Sequence, residues 1–535
     1  MARRLGHGET ITTDQFQTAR EDIASSIANI PLAFAATQTV DLKDFDFMFP
    51  KLQNNPNNLL PESSTTPADL ARLGKTMVDS VGNDAAGDST VPAILTYFGQ
   101  FLDHDITLEM TSANLPTLTS PSLTPMPLDE IRNNIRNLRT ASLDLDSLYD
   151  APAPRDGNKM RLGVVTSLNG TQPPLKRPKG KDDFNDLPRD PRSTVPEADR
   201  AAQIGDPRND ENTIVAQLHL AFLRAHNAIV DQVGSFTDAR RLLRQHYQHI
   251  VINDFLMQVA DKKIVRDVLK KGGQFYDGLA EPFFMPLEFA VAAYRFGHTM
   301  VRLDYDFNLN FNTSGKAGTF PATVDLLFSF TALQGQFDPG GGTSPESGTD
   351  TLPDNWIIEW ERFVGAGNTN PARLFDTKLV NPLFSLKTAT GAVEQGLGAM
   401  LAVRNLLRGY RLRMPTGQAV AKAMKITPLT PAQLEAVAST VTPPSGGESQ
   451  LDVLRSSGFS KRTPLWYYVL AEAAHHTGGK SLGPVGSTII AEVLIGLIRR
   501  SDDSILRTKN WKPTLPSAKN NDFTLADLLR LAKVL

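Results

Sequence analysis

Long stretches of this sequence repeat apolar residues every three or four positions, the spacing of a helix that buries one face. The clearest are residues 212–233, 239–259, 286–300 and 488–499, and a further apolar segment at 91–101 has Pro92 in its predicted first turn. Alternating polar and apolar runs, which would indicate strands, are scarce. Because such a pattern argues against an α/β protein, the sequence predicts a mainly α fold: one large helical domain with long loops and little β structure.

Loops rich in proline and glycine separate the helical stretches, at residues 150–196, 334–353 and 443–447. We expect an N-terminal arm over residues 1–44, the helical domain over 45–510 and a C-terminal tail over 511–535, since chain ends are the segments least held by packing.

The composition excludes several classes of protein. The formal net charge of −3 gives no sign of a nucleic-acid surface. The absence of cysteine removes disulfides, zinc–thiolate sites, iron–sulfur clusters and thiolate-ligated haem. No apolar run is long enough to be a transmembrane segment, and the first twenty residues lack the apolar region of a secretory signal. We therefore expect a cytoplasmic protein, or one exported without a cleavable N-terminal signal.

His104 lies where an apolar helical segment ends in several polar side chains: Gln100, Asp103 and Asp105. Burying such groups costs free energy unless each has a partner or a task. Gln100 and His104 are four residues apart and share a helix face, so together they could hold a water or a peroxide. The alternative is a helix C-terminus whose carboxylates are solvated.

His298 follows a glycine inside an apolar helical pattern. Gly297 should cost a helix about 1 kcal/mol relative to alanine, which makes sense if something flat packs against the backbone there. A neutral histidine on such a face could be an axial ligand of haem iron. An ordinary hydrogen-bonded core histidine is the alternative.

Residues 140–146 alternate oxygen-bearing and apolar side chains, which would point the oxygens to one side of an extended loop. Calcium takes six to eight oxygen ligands, so the segment is a candidate calcium loop, although it lacks the glycine and the final glutamate of an EF-hand. A half-exposed strand fits the spacing equally well. The oxygen-bearing residues are Thr140, Ser142, Asp144 and Asp146.

These three segments, in this order, resemble the animal-type haem peroxidases of the peroxidase–cyclooxygenase superfamily. Residues 98–109, FGQFLDHDITLE, are similar to the distal helix signature of that family. The resemblance implies that Gln100 is the distal glutamine and His104 the distal histidine. It also implies that Asp103 can form an ester to a haem methyl group and that Asp105 reaches the calcium.

Residues 205–212, GDPRNDEN, resemble the family segment that carries the distal catalytic arginine and a haem-linking glutamate. These would be Arg208 and Glu211. Some members have a methionine at the next position, which forms a sulfonium bond to haem. Here that position is Asn212, so this bond cannot form.

Residues 294–300, YRFGHTM, are similar to the proximal helix motif, which implies that His298 is the iron ligand. Residues 404–409, RNLLRG, resemble the segment whose asparagine accepts the second N–H of the proximal histidine and whose arginine meets a haem propionate. These would be Asn405 and Arg408. The resemblance extends over roughly residues 45–500 and includes the four oxygen-bearing residues of the calcium loop.

The resemblance implies haem b and calcium as cofactors, with ester links through Asp103 and Glu211 that depend on exposure to peroxide. It implies a peroxidase that reduces hydrogen peroxide through a ferryl porphyrin-radical intermediate. His104 would transfer the proton, Arg208 would stabilise the leaving oxygen, and Gln100 would position a water or halide. Without the methionine, the expected donors are bromide, iodide, thiocyanate or phenols rather than chloride.

Two other functions are compatible with the resemblance. The first is a fatty-acid dioxygenase of the cyclooxygenase branch. Those enzymes have a radical-forming tyrosine three residues before the proximal histidine, where this chain has Arg295. Tyr294 is one residue further back, on a helix face about 100° away. The second is a catalytically weak adhesion protein, although a site without catalysis would have no need of the full set of Gln100, His104, Arg208, His298 and Asn405.

Overall fold

The computed structural model describes residues 45–80, 82–110, 118–168, 176–194, 199–316, 319–328, 331, 349–364, 370–386, 394–519 and 521–535. The predicted N-terminal arm and most of the predicted loop at 334–353 lie outside these residues.

Helices dominate the described residues, as the sequence predicts. In chain order the α-helices are α1 (Thr66–Thr76), α2 (Ile94–Ile106), α3 (Leu128–Asn134), α4 (Asp146–Tyr149), α5 (Thr213–Val233), α6 (Phe236–Ile250), α7 (Met257–Val259), α8 (Lys262–Lys271), α9 (Val324–Leu327), α10 (Leu401–Arg411), α11 (Gly417–Ala423), α12 (Pro431–Ser439), α13 (Gln450–Ser457), α14 (Leu465–Thr477), α15 (Pro484–Arg500) and α16 (Leu525–Leu531).

Tighter and wider helical turns connect these elements. The 3₁₀ segments are Pro50–Asn54, Pro56–Asn58, Ala85–Gly87, Pro207–Asp210, Ala293–Met300, Asp354–Trp356, Trp360–Arg362, Asn381–Phe384 and Gly396–Ala399, and the π segments are Val251–Leu256 and Glu288–Ala292.

The strands are short and form isolated pairs. They are β1 (Phe45–Asp46), β2 (Val78–Asp79), β3 (Asp88–Pro92), β4 (Glu109–Met110), β5 (Arg136–Asn137), β6 (Arg155–Asp156), β7 (Lys159–Met160), β8 (Met285–Pro286), β9 (Asp304–Tyr305), β10 (Ala322–Thr323), β11 (Pro371–Arg373) and β12 (Leu379–Val380). Strands β1 and β2 pair in parallel with β8 and β12, while β3, β4, β6 and β9 pair antiparallel with β11, β5, β7 and β10.

The long helix α5 is buried over most of its length. Asn212 caps its start by accepting from the N–H of Val215, and Gly234, with a φ of 71°, ends it in the left-handed conformation. Helices α2, α6 and α16 pack against it. The predicted helix at 212–233 and the mainly α fold class are therefore confirmed. The apolar faces of these helices join a single core cluster in the described part of the chain.

Three predicted helices differ from the structure. In the segment 239–259, the π segment Val251–Leu256 interrupts the α-helix. The segment 286–300 is not a regular α-helix: a π turn is followed by a break at Ala292, with φ −127° and ψ −75°, and then by the 3₁₀ segment Ala293–Met300. Helix α2 begins at Ile94 rather than near Pro92, because Pro92 ends strand β3 opposite Pro371. A proline is tolerated at the end of a short strand because its missing N–H is not needed there.

The last residues of the chain are packed against the helical body. Helix α16 contacts α5, and Phe523, Leu528 and Val534 are buried. The segment predicted as a C-terminal tail thus contributes to the core. Among the described residues, no helix has the length and apolar character needed to cross a membrane.

Candidate functional site

A cavity opens between α2 and the 3₁₀ segment Ala293–Met300. Gln100, Asp103 and His104 of α2 line one side, and Gly297 and His298 line another. The structure therefore brings the two predicted histidine motifs to one cavity. Its further lining is largely apolar and includes Leu95, Phe255, Val301, Val324, Leu327, Phe328, Leu383 and Leu401.

His104 is buried and belongs to a chain of three side chains behind the cavity. Its Nδ1 lies 2.8 Å from Oδ1 of Asn209, and Nδ2 of Asn209 lies 3.0 Å from Nδ1 of His219. Burial and, secondarily, the charge of Arg208 lower the pKa of His104. A neutral His104 that donates from Nδ1 keeps the lone pair of Nε2, so this ring can act as a base. The polar end of α2 is thus not a solvated helix terminus.

Arg208 lies beside the end of α2, but its side chain is not part of the cavity lining. Its guanidinium donates to both carboxylate oxygens of Asp206, and its Nη2 also donates to the carbonyl oxygens of His104, at 3.1 Å, and Thr107, at 2.6 Å. The predicted distal arginine therefore contacts the backbone of the predicted distal histidine and is held there by a carboxylate.

Asp206 is fully buried and binds a second arginine. Nη2 of Arg139 donates to its Oδ2 at 2.6 Å, and Nη1 of the same arginine lies 3.5 Å from Oδ1 of Asp146. Burial alone would raise the pKa of Asp206, but the two guanidinium groups outweigh it and hold that pKa below its usual range. Arg139 and Asp206 thus link the predicted calcium loop to Arg208.

On the proximal side, a Cβ built on Gly297 would meet no atom within 4 Å, so the cavity is open against its backbone. This agrees with a flat group packing there. Nδ1 of His298 lies 2.9 Å from Nδ2 of Asn405, whose Oδ1 accepts from Nη1 of Arg295 at 3.2 Å. The contact is in the predicted place, but the two ends of the amide are exchanged relative to the prediction. Iron binding through Nε2 would leave the proton of His298 on Nδ1, and Asn405 would then have to turn its Oδ1 toward it.

The remaining predicted haem-contacting residues divide into two groups. Asp103 and Glu211 line the cavity. Arg408 does not; it forms an ion pair with Glu109, and burial lowers its pKa to about 10. The Nε of Arg408 is buried without a hydrogen-bond partner in the described structure, so the guanidinium has a donor left for an acidic ligand group.

The predicted calcium residues come together, with one exception. Carboxylate oxygens of Asp105, Asp144 and Asp146 lie within 4.8 Å of one another. Thr140 joins them, because its hydroxyl donates to Asp144 at 3.0 Å. The hydroxyl of Ser142 instead lies 3.0 Å from that of Ser501. The segment is a loop rather than the alternative half-exposed strand.

The negative charges of these buried carboxylates would be stabilised by a bound cation. Burial, reinforced by Asp144, raises the pKa of Asp105 to about 7, and burial likewise raises the pKa values of Asp144 and Asp146. The Oδ1 of Asp146 is buried without a hydrogen-bond partner among the described residues. Three hard oxygen donors in this arrangement suit a divalent ion such as calcium.

Sequence reasoning missed several residues of the site. Asn209 and Asp206 flank the predicted arginine, and their position in the matched segment was the only signal that could have found them. Tyr294, expected on a different face from the proximal histidine, lines the same cavity, and its hydroxyl donates to the carbonyl of Gly99 at 3.1 Å.

Comparison with known proteins agrees with these features. The sequence profile of the family "Animal haem peroxidase" matches residues 124–339, which include the calcium loop, Arg208 and His298. A peroxidase-like protein of Margaritifera margaritifera is 28% identical over 297 residues, covering 46% of this chain and 36% of that protein. Heme peroxidase 2 of Caenorhabditis elegans is 23% identical over 314 residues, covering 48% of this chain and 42% of that protein. The chain thus spans less than half the length of these curated relatives.

Among solved structures, peroxidase A from Dictyostelium discoideum has a similar fold. It superposes with a TM-score of 0.55 and 15% identity, covering 92% of this chain and 94% of that one. The fold, the sequence profile and the relatives agree: residues 124–339 of this chain match the animal haem peroxidase family, and the fold is similar to that of a peroxidase.

Proposed function

We propose that this protein binds haem b in the cavity, with His298 as the iron ligand, and uses it to reduce hydrogen peroxide and oxidise a small donor. The observation that carries the proposal is the placement of Gln100 and His104 on one side of the cavity and His298 beside the open backbone of Gly297 on another. The residues fit the group: the lining is largely apolar, and Nε2 of Gln100 is a buried donor without a hydrogen-bond partner in the described structure.

Haem would supply the electrons that break the O–O bond of peroxide. His104 would take the proton from one peroxide oxygen at Nε2 and return it to the other. Its lowered pKa suits this role, because the base must be neutral at the start. Asn209 would keep the Nδ1 proton in place during this exchange.

Arg208, which lies beside the end of α2, would contribute a positive charge that stabilises the leaving oxygen. In the described arrangement its guanidinium binds Asp206 and the carbonyl of His104, so it positions the end of the helix that carries the base. On the other side of the cavity, His298 would be oriented through Asn405. Asp103 and Glu211, which line the cavity, would be the residues that form ester links to haem on exposure to peroxide.

A calcium ion among Asp105, Asp144, Asp146 and Thr140 would hold the end of α2 in register with the loop that follows it. Asp105 is the residue after His104, so the ion would affect catalysis by fixing the position of the His104 ring. The expected donors are bromide, iodide, thiocyanate and phenols, because Asn212 cannot form the sulfonium bond associated with chloride oxidation.

The proposal is tested with protein produced in the presence of a haem precursor. We expect a haem absorption spectrum that changes on adding one equivalent of peroxide and returns on adding iodide or a phenol. H298A should lose the native iron coordination. H104A should keep the haem but react with peroxide about 10²- to 10⁴-fold more slowly. Haem that does not respond to peroxide would favour an adhesion protein, and a chain that takes up no haem would overturn the proposal.

Fatty-acid oxygenation is a second candidate, because Tyr294 lines the cavity together with apolar residues of α9 and α10. Oxygen uptake with a polyunsaturated fatty acid that is abolished by Y294F, while peroxide turnover persists, would support it. No oxygen uptake by the wild-type protein would exclude it.

A further inference from the structure

Two side-chain amides stand in series at the cavity, next to His104. Asn212 is buried and caps α5, where its Oδ1 accepts from the N–H of Val215 at 3.0 Å. Its Nδ2 donates to Oε1 of Gln100 at 3.1 Å. Both amides line the cavity, one from the start of α5 and one from α2.

The direction of this series is set by the backbone. A peptide N–H can only donate, so the oxygen of Asn212 must face Val215 and its nitrogen must face Gln100. Gln100 must then present its oxygen to Asn212 and turn its nitrogen away from Asn212. Nε2 of Gln100 is buried and has no hydrogen-bond partner in the described part of the chain. A buried donor left unsatisfied is unfavourable, so a ligand that can accept from it gains affinity.

Most other polar groups around the cavity do not replace this donor, and the guanidinium of Arg295, which also lines it, donates to the carbonyl of Ala290 and to Oδ1 of Asn405. The carboxylates of Asp103 and Glu211, when ionised, only accept. The hydroxyl of Tyr294 already donates to Gly99. Thr96 lies one turn before Gln100, and its buried hydroxyl has no partner in the described structure, but a hydroxyl can donate or accept and sets no preference.

We propose that Asn212 is a specificity-determining positioning residue: it holds the Gln100 amide with its N–H₂ toward the cavity, so that the small ligand beside His104 is a hydrogen-bond acceptor. The inference rests on the proposed haem function for the identity of the site and goes beyond it by assigning a role to the residue that replaces the family's methionine. The chemical class of ligand is a small species with an exposed lone pair, such as a peroxide oxygen or a small inorganic anion.

Asn212→Asp tests this directly. Aspartate is as good a helix cap as asparagine, so α5 should keep its start. Its second oxygen would face Gln100 and accept from Nε2, which turns the amide over and presents Oε1 to the cavity. Fluoride on the ferric haem protein is the probe, because it accepts hydrogen bonds and cannot donate them. We expect N212D to weaken fluoride binding about 10- to 100-fold, the usual effect of losing a hydrogen bond to a charged group.

The added charge of the aspartate could also repel fluoride directly. A double-mutant cycle separates the two effects by comparing N212D, Q100A and the variant that carries both substitutions. If Asn212 acts through Gln100, N212D weakens fluoride binding only when Gln100 is present. N212S keeps a capping side chain but cannot reach Gln100, and it should give a smaller loss than N212D. Equal weakening by N212D in both backgrounds, or none in either, would overturn the proposal.

A second readout does not require haem. In protein labelled with ¹⁵N-glutamine, the Gln100 side-chain resonance is identified by its loss in Q100A. N212D should shift this resonance downfield and slow the exchange of one amide proton with water, because that proton would bind a carboxylate. If the chain takes up no haem, the proposed function fails, and an unchanged Gln100 resonance in N212D would separately overturn the role of Asn212.

Discussion

His104 Nδ1 lies 2.8 Å from Oδ1 of Asn209, and this contact determines which nitrogen of the ring can act as a base. Asn209 itself is oriented by His219, toward which its amide nitrogen points at 3.0 Å. The proton of His104 is thereby kept on the side away from the cavity. The base of the proposed reaction thus depends on two side chains, Asn209 and His219, that do not line the cavity.

Asn209→Asp should move the acid limb of the pH profile to higher pH. A carboxylate beside Nδ1 favours the protonated ring and raises the pKa of His104, which burial keeps below 6.5 in the wild-type protein. Since the base must be neutral, the rate of the peroxide reaction would begin to fall at a higher pH than in the wild-type protein. The rate is measured by stopped-flow absorption from pH 4 to 8. N57D, the same change at an exposed site, should leave the profile unchanged; an identical profile for N209D would refute the role of Asn209.

Asp206→Asn should be strongly destabilising. The carboxylate of Asp206 is buried between Arg139 and Arg208, and its removal takes the shared negative charge away from two guanidinium groups. Removing one partner of a buried ion pair typically costs about 3–5 kcal/mol. Urea unfolding measures the loss. The exposed pair of Arg241 and Asp238 provides a control, since D238N should cost under about 1 kcal/mol. Similar losses for the two variants would contradict the proposed link.

Calcium should raise the midpoint of thermal unfolding, and D144N should remove most of this effect. Asp144 shares the acidic cluster with Asp105 and Asp146, and an ion that binds only the folded chain stabilises it by about 2.7 kcal/mol at 100 times its dissociation constant. The measurement is thermal unfolding at increasing calcium after treatment with a chelator. D129N, at an exposed position of α3, should respond to calcium as the wild-type protein does. A calcium response retained in D144N would place the ion elsewhere.

The sequence predicted much of the site because its chemistry lies in short segments. The spacing of Asp144 and Asp146 indicated a cation loop, and the structure groups both with Asp105. The glycine before His298 indicated an open face, and the space beside Gly297 is open. In each case, the residues that indicate the feature lie within a few positions of one another in the sequence.

The parts that sequence reasoning missed depend on long-range partners. A 3.6-residue period over 286–300 does not distinguish an α-helix from successive π and 3₁₀ turns, because all three bury a similar face over a few turns. Nothing in the sequence shows that Arg208 binds Asp206 and the carbonyl of His104, because that contact depends on how α2 packs near the start of α5.

The end of the chain should be released by acid. His246 is buried in α6; its Nδ1–H donates to the carbonyl of Leu242 at 2.7 Å, and its Nε2 accepts from the backbone N–H groups of Thr514 and Leu515 at 2.9 and 3.1 Å. Protonation of Nε2 would remove both of the latter bonds. Burial accordingly lowers the pKa of His246 to about 4.

The lowered pKa of His246 makes the folded chain less stable in acid, because the unfolded chain binds the proton more readily than the folded chain does. Between pH 6.5 and about 4 the unfolded chain protonates this histidine and the folded chain does not, so stability is full above pH 6.5 and falls as the pH decreases toward 4. At about 1.4 kcal/mol per pH unit over this window, the contribution of His246 is at most about 3.5 kcal/mol. Urea unfolding across this range should show a smaller fall for H246Q than for the wild-type protein, whereas H475Q, at an exposed position, should behave as the wild-type protein does. If H246Q loses stability with pH as steeply as the wild-type protein, the acid sensitivity belongs to buried groups other than His246.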